Sequence, residues 1–175
     1  SIGKTKATAV LHEWQTDSLS DATIANAAVE GADASSATLA PTTRVGNRTQ
    51  ISQKTIQIAG TEETIDKAGR KSEKAYQLAK ASSELKRDME KIMLANQAAT
   101  AGDSSTARTL GSIQAWLNTN YNGTGTAGSL GTTARVAGTD RAFTETLLKA
   151  AIKSAYTAGG SPTVLMVSPT QKQVV

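Results

Sequence analysis

A lone histidine, one glycine-rich motif and a few acid pairs are the residues whose types and spacing could do chemistry. Gly123-Thr124-Gly125-Thr126-Ala127-Gly128 matches the G-x-G-x-x-G spacing. A dinucleotide site needs a strand just before that motif, a helix opening just after it, and an acid about 20 residues on. Asn118-Thr119-Asn120-Tyr121-Asn122 precedes it and Ser129 follows, so neither context is met and the stretch reads as a flexible surface loop. Ala68-Gly69-Arg70-Lys71-Ser72 sets a glycine near a Lys-Ser pair but lacks the earlier glycine of a phosphate loop. It reads as helix surface. His12 is the sole imidazole. A serine hydrolase would pair it with a serine on a sharp strand-to-helix turn, and no G-x-S-x-G exists. One imidazole among scattered carboxylates is also a poor metal site. The chain has no cysteine, which removes disulfides, thiolate ligands and thiol nucleophiles together. That fits a reducing cytoplasm.

Glu62 and Glu63 are accounted for by a helix start, where acids complement the dipole. Glu30 and Asp33 lie in a stretch with nothing to fix their geometry. Asn47-Arg48-Thr49 and Asn122-Gly123-Thr124 fit the glycosylation pattern without any sign of secretion. Arg44, Arg48 and Lys54 make one basic side, suited to nucleic acid or, better, to an acidic patch on a neighbouring subunit. No catalytic, metal or cofactor residue is assigned, and the chain reads as a structural protein.

The elements that must position these residues follow from composition and periodicity. The 175 residues carry a formal net charge of +4, with Lys and Arg read as spread along the chain among Asp and Glu. Only six side chains are aromatic: Trp14, Trp116, Tyr76, Tyr121, Tyr156 and Phe143. Aromatics dominate most cores, so this core is expected to be thin and to borrow stability from neighbours. No apolar run reaches the length of a membrane span. The start at Ser1 reads as trimmed.

Residues 5–15 (TKATAVLHEWQ) and 48–58 (RTQISQKTIQI) read as strands, the second polar on both faces. Together they predict a projecting hairpin whose partners are other subunits, with residues 17–43 as a long irregular tip. Thr61 is the expected N-cap of a helix running from Glu62 to Asn96, some 35 residues and roughly 50 Å. Its stripes are Ile65, Ala68, Ala75, Tyr76 and Ala79, then Leu78, Ala81, Leu85, Met89, Ile92 and Met93. Glu63 with Lys67 and Asp66 with Arg70 have the favourable spacing of four. A short apolar stretch, residues 110–117 (LGSIQAWL), is expected to anchor the loop-rich region after it. Residues 140–156 predict a helix capped by Thr139 or Asp140 and ended by Gly159-Gly160. The apolar run 162–169, bracketed by prolines, reads as a central strand lacking its neighbours, as if the last domain were incomplete.

The order of arm, long helix, loop-rich region and opening α/β domain resembles the tailed-phage major capsid protein of the α+β, Hong Kong 97-like fold. The stretch 4–19 (KTKATAVLHEWQTDSL) is similar to the opening of the family of major head proteins typified by phage SU-ten. So are Val29-Glu30-Gly31-Ala32-Asp33, Arg44-Val45-Gly46-Asn47-Arg48-Thr49-Gln50-Ile51, Leu85-Lys86-Arg87-Asp88-Met89-Glu90 through Asn96-Gln97, and the run 162–169. The resemblance implies an extended-loop arm at 1–60, a spine helix and peripheral domain at 61–139, and the start of an axial domain at 140–175. It implies a shell of pentamers and hexamers enclosing double-stranded DNA without sequence specificity. Scaffold, portal and decoration proteins are implied partners, and the virion, assembled in the host cytoplasm, is the implied location. Trp14, Arg44, Arg48 and Arg87 are the expected inter-subunit contacts. An encapsulin-like compartment shell and a basic nucleic-acid-binding module are the alternatives.

Overall fold

The computed structural model describes residues 6–65, 69 and 71–173. The expected pairs of Glu63 with Lys67 and Asp66 with Arg70 therefore fall outside the described residues.

Strand β1 (Leu11–Thr16) pairs antiparallel with β2 (Thr43–Arg48), Leu11 opposite Arg48 and Thr16 opposite Thr43. An antiparallel hairpin with an irregular connection, residues 17–42, forms, but neither strand keeps its expected bounds. The first was placed at 5–15 and pairs at 11–16, with residues 6–10 in no strand; the second was placed at 48–58 and pairs at 43–48. One further bond, Thr49 N–H to Val10 O at 2.9 Å, extends the ribbon. Beyond it, residues 50–59 belong to no strand and lie beside a helix instead. Polar–apolar alternation marks a chain half in contact with something, and here that partner is a helix face.

Helix α1 (Gly60–Thr64) is short, and α2 (Glu73–Leu94) carries the long helix. The continuous helix expected from Glu62 to Asn96 is thus corrected to 22 residues from Glu73, about 33 Å. Ser72 explains the restart. Its Oγ accepts from Ala75 N at 3.2 Å, the N-cap that satisfies an orphan amide of the first turn. Glu63 reaches across the gap from α1, accepting from Ser72 Oγ at 2.6 Å and from Lys74 N at 3.3 Å. Ile65 is extended, with φ −83° and ψ 149°. Thr61 lies inside α1, and Ala59 holds the cap position without a side-chain bond.

The second apolar stripe is the one that packs. Ala81 is buried and Leu85, Ile92 and Met93 are half-buried, while Tyr76, Leu78 and Met89 stay exposed. The buried side of α2 faces residues 50–57. Leu85 and Ile92 form a trough with Gln50 to Gln53, and Lys54 binds Asp88 at 3.0 Å and Glu84 at 3.7 Å. The hydrogen bond and charge of Asp88 hold the Lys54 ammonium above its ordinary pKa.

Helix α3 (Ile113–Trp116) lies in the apolar stretch expected to anchor the loops, and it does so: Ala115 is 0% exposed and Ser112 only 1%. The following loop is tied by bridges between Thr126 and Val136 and between Ser129 and Thr133. Helix α4 (Glu145–Thr157) is capped by Thr144, whose Oγ1 accepts from Leu147 N at 3.4 Å. Thr139 and Asp140, the expected caps, precede an extended stretch that Thr124 holds through Thr139 O at 2.6 Å. Gly159-Gly160 ends α4 as expected, with Gly160 N–H bonded to Ala155 O and Gly159 N–H to Tyr156 O. The run 162–169 forms no strand, and Val164, Leu165 and Met166 are exposed. A strand is made by its ladder, and no described residue supplies one. Helix α5 (Pro169–Lys172), capped by Ser168, follows.

Candidate subunit interface

The root of the arm is joined to the body on one face only. Residues and their cross-strand partners share a face, so His12, Trp14, Val45 and Asn47 lie together, while Leu11, Glu13, Gln15, Arg44, Gly46 and Arg48 lie on the other. The first face meets the body. Trp14 stacks on Trp116, ring centroids 5.1 Å apart at 26°, and His12 tilts against Trp14 at 5.7 Å. Asn47 is the deeper joint. Its Oδ1 accepts from Gly111 N at 2.8 Å and Arg48 N at 2.9 Å, and its Nδ2 donates to Gly111 O at 2.9 Å.

A second amide continues the clasp. Gln50 Oε1 accepts from Gln97 Nε2 at 2.9 Å and from Leu110 N at 3.2 Å. Gln97 Nε2 also donates to Leu110 O at 2.9 Å. Arg108 Nε donates to Thr49 O at 2.7 Å. These bonds fix the arm root to residues 97–111, where apolar packing alone would be too thin.

The clasp rests on the C-terminus of α2, where backbone carbonyls need outside donors. Gln114 Nε2 donates to Leu94 O at 2.8 Å, and Ser112 Oγ donates to Ala95 O. Ser112 Oγ also accepts from Gln97 N at 2.8 Å. Asn96 clamps Arg135 by its backbone, accepting from its N–H at 2.8 Å and donating to its carbonyl at 2.6 Å. Gly131, at φ +81°, lies under the Trp116 indole; a Cβ there would stand 2.6 Å from Nε1. Only glycine fits both the left-handed backbone and that clearance.

A small acid turn borders the same region. Asp103 Oδ1 accepts from Ser105 N at 2.7 Å, Ser105 Oγ at 2.8 Å and Thr106 N at 2.7 Å. The backbone bond from Ser105 is the largest cause of a carboxyl pKa below the ordinary 3.8. A depressed carboxylate pKa stabilises the fold above the ordinary value, and that contribution is lost as pH falls through the folded pKa. The Ser105 and Thr106 amide resonances are therefore expected to move together as pH falls, with a midpoint below the ordinary 3.8. Movement at the ordinary carboxylate midpoint would contradict the turn.

The four expected contact residues are not gathered into one site. Trp14 is engaged by Trp116 within the chain yet keeps 39% of its surface exposed. Arg44 and Arg48 lie on the outward face of the ribbon, and Arg87 lies exposed on α2. Among the described residues, none of these three guanidinium groups makes an ion pair or a side-chain hydrogen bond. Asn47, Gln50, Gln97 and Ser112 were not anticipated as a joint. Asn47 figures in the sequence only in a glycosylation pattern and in the stretch 44–51 that carries the family resemblance.

The tip is wholly uncovered: Leu19, Ile24, Val29 and Leu39 are 80% exposed or more. The whole chain exposes 14681 Å². A folded monomer of 18.1 kDa should expose roughly 8,100 Å². Surface of that excess calls for further polypeptide to cover it. Among the described residues, no helix is long and apolar enough to cross a membrane. The family model described as SU10 major capsid protein matches residues 1–175, and the chain belongs to that family. It is also 41% identical over 98 residues to the major capsid protein of Escherichia phage Phieco32. That match covers 56% of this chain and 28% of the length of the relative.

Proposed function

We propose that this chain is part of a major capsid protein that assembles into the icosahedral head around double-stranded DNA. Family membership across residues 1–175 carries the reading, and the uncovered surface supports it. The fold is proposed to be Hong Kong 97-like. Residues 1–60 act as the extended loop laid over an adjacent subunit. Residues 61–139 supply the spine, here α2, and the peripheral domain. Residues 140–175 open the axial domain that meets its copies around five-fold and six-fold axes. Scaffold, portal and decoration proteins are the proposed partners, with the virion as destination after assembly in the host cytoplasm. The role is geometric and needs no cofactor: a rigid root holds the arm at a set angle so that its tip finds a neighbour. Trp14, Arg44, Arg48 and Arg87 are proposed to contact neighbouring copies.

The test is negative-stain electron microscopy of the full-length gene product after expression and sedimentation, alone and with its co-expressed head proteins. Closed shells, sheets or capsomer rings are expected. A protein that stays monomeric in both settings and binds DNA in a salt-dependent way would overturn the shell role in favour of a nucleic-acid module.

A further inference from the structure

The arm is electrically polarised. Residues 17–42 contain Asp17, Asp21, Glu30 and Asp33 and no Lys, Arg or His. The run without Lys or Arg is longer still, from Ala7 to Thr43, so the basic residues are not spread along the chain as the sequence reading had them. The remainder of the chain carries all 19 Lys and Arg against 11 of the 15 Asp and Glu. The first cations after the tip are Arg44 and Arg48, on the outward face of the ribbon, with Glu13 between them opposite Gly46. Arg108 joins them at the root through its bond to Thr49 O. Ion pairs elsewhere close within the chain, as Lys54 with Asp88 and Lys149 with Glu145 do. At the tip and the root no ion pair forms among the described residues.

We infer that the acidic tip of one copy docks on the arginine-bearing outward face of the arm root of a second copy. This rests on the shell reading above and names the groups that meet in it. The body-facing side of the ribbon is already occupied by Trp116 and Gly111, so the outward face is the one left for a partner. The tip brings Leu19 and Ile24 beside Asp17 and Asp21, and Val29 beside Glu30 and Asp33, so each acid pair arrives with an apolar side chain to exclude water. Each copy carries both halves of the contact at opposite ends of one arm. A copy that gives its tip to one neighbour can take a tip from another, so the same contact serves a closed ring or a run from copy to copy. Charge complementarity of this kind steers encounter and sets register, and it weakens with salt.

The test uses the full-length gene product with its head partners and a charge swap. Arg44→Glu with Arg48→Glu reverses the root. Asp17→Lys, Asp21→Lys, Glu30→Lys and Asp33→Lys reverse the tip. Each reversal alone is expected to lower the sedimenting assembled fraction by about tenfold at low salt. The two together are expected to recover it to within about twofold. Five of the six altered positions are exposed and Arg48 is half-buried, and unchanged tryptophan fluorescence, reporting the Trp14–Trp116 stack, controls for folding. Shells from either single reversal at the unaltered yield, or a combination no better than its parts, would overturn this contact and leave the shell reading standing. An unaltered protein that forms no particle under any of these conditions would overturn both.

Discussion

Gly131→Ala is expected to cost about 3 kcal/mol of stability in the full-length protein. Two terms add. The left-handed backbone at φ +81° is poor for any residue with a Cβ, about 1–2 kcal/mol. The new methyl would also stand 2.6 Å from Trp116 Nε1 and 2.7 Å from Cε2, and overpacking of that kind costs about 1–3 kcal/mol. The ring cannot retreat freely, because Trp14 stacks on it and carries the arm. Urea unfolding followed by tryptophan fluorescence should show a lower midpoint and a native spectrum altered at Trp116. Gly60→Ala is the control. Nothing lies within 4 Å of its Cβ position, and its φ is ordinary, so a change under about 0.5 kcal/mol is expected. Equal effects from both would refute the packing of Gly131 under the indole.

The second large effect is at Asn47. Asn47→Ala removes the acceptor for Gly111 N–H and Arg48 N–H and the donor for Gly111 O. Leaving part-buried backbone groups unpaired costs about 1–3 kcal/mol each when water cannot replace the partner. A loss of about 2–3 kcal/mol in the coupling of arm to body is expected, read as faster amide exchange at Gly111 and Arg48. Asn47→Asp keeps the acceptor and loses only the donor, and sets a carboxylate against Gly111 O. It should fall between Asn and Ala. If Asn47→Ala left exchange at Gly111 unchanged, the clasp would not be what joins the arm.

These two residues show where sequence patterns stop being informative. The antiparallel arm and its irregular tip were legible, because β-branched and aromatic residues flank a long stretch rich in Ala, Ser and Asp. Its second strand was displaced to 48–58, since alternation reveals a half-covered chain but not whether a strand or a helix covers it. The stripe of α2 was legible through Ala81, Leu85 and Ile92, whereas its restart at Ser72 was not. An apolar stripe continues smoothly across residues 65–79 in sequence, and only Gly69 and the Ser72-Glu73 cap argue for the restart. Schellman closure at Gly159-Gly160 was readable because it is purely local. The run 162–169 was misread because strands are defined by neighbours, and apolar content alone does not supply them.

The interface was harder to read for a different reason. With so few aromatics, this chain joins its parts through side-chain amides, and Asn47, Gln50, Asn96 and Gln97 look like ordinary polar surface in sequence. Nothing local distinguishes an Asn that holds Gly111, 64 residues away, from one in water. The charge polarity of the arm was available in the sequence all along, in the stretch from Ala7 to Thr43, and was masked by the balanced whole-chain count. Trp14 was singled out for a neighbour and found a partner at home in Trp116, which leaves its exposed portion alone for contact between copies.

The central claim is that the tip is ordered by a neighbouring copy and not by its own body. Hydrogen–deuterium exchange across residues 17–42, measured on dissociated subunits and on assembled particles of the full-length protein, tests it most directly. The account predicts rapid exchange in the subunit and strong protection in the particle, with residues 97–116 protected in both. Tip amides that exchange equally fast in both states, or that are already protected in the isolated subunit, would contradict it.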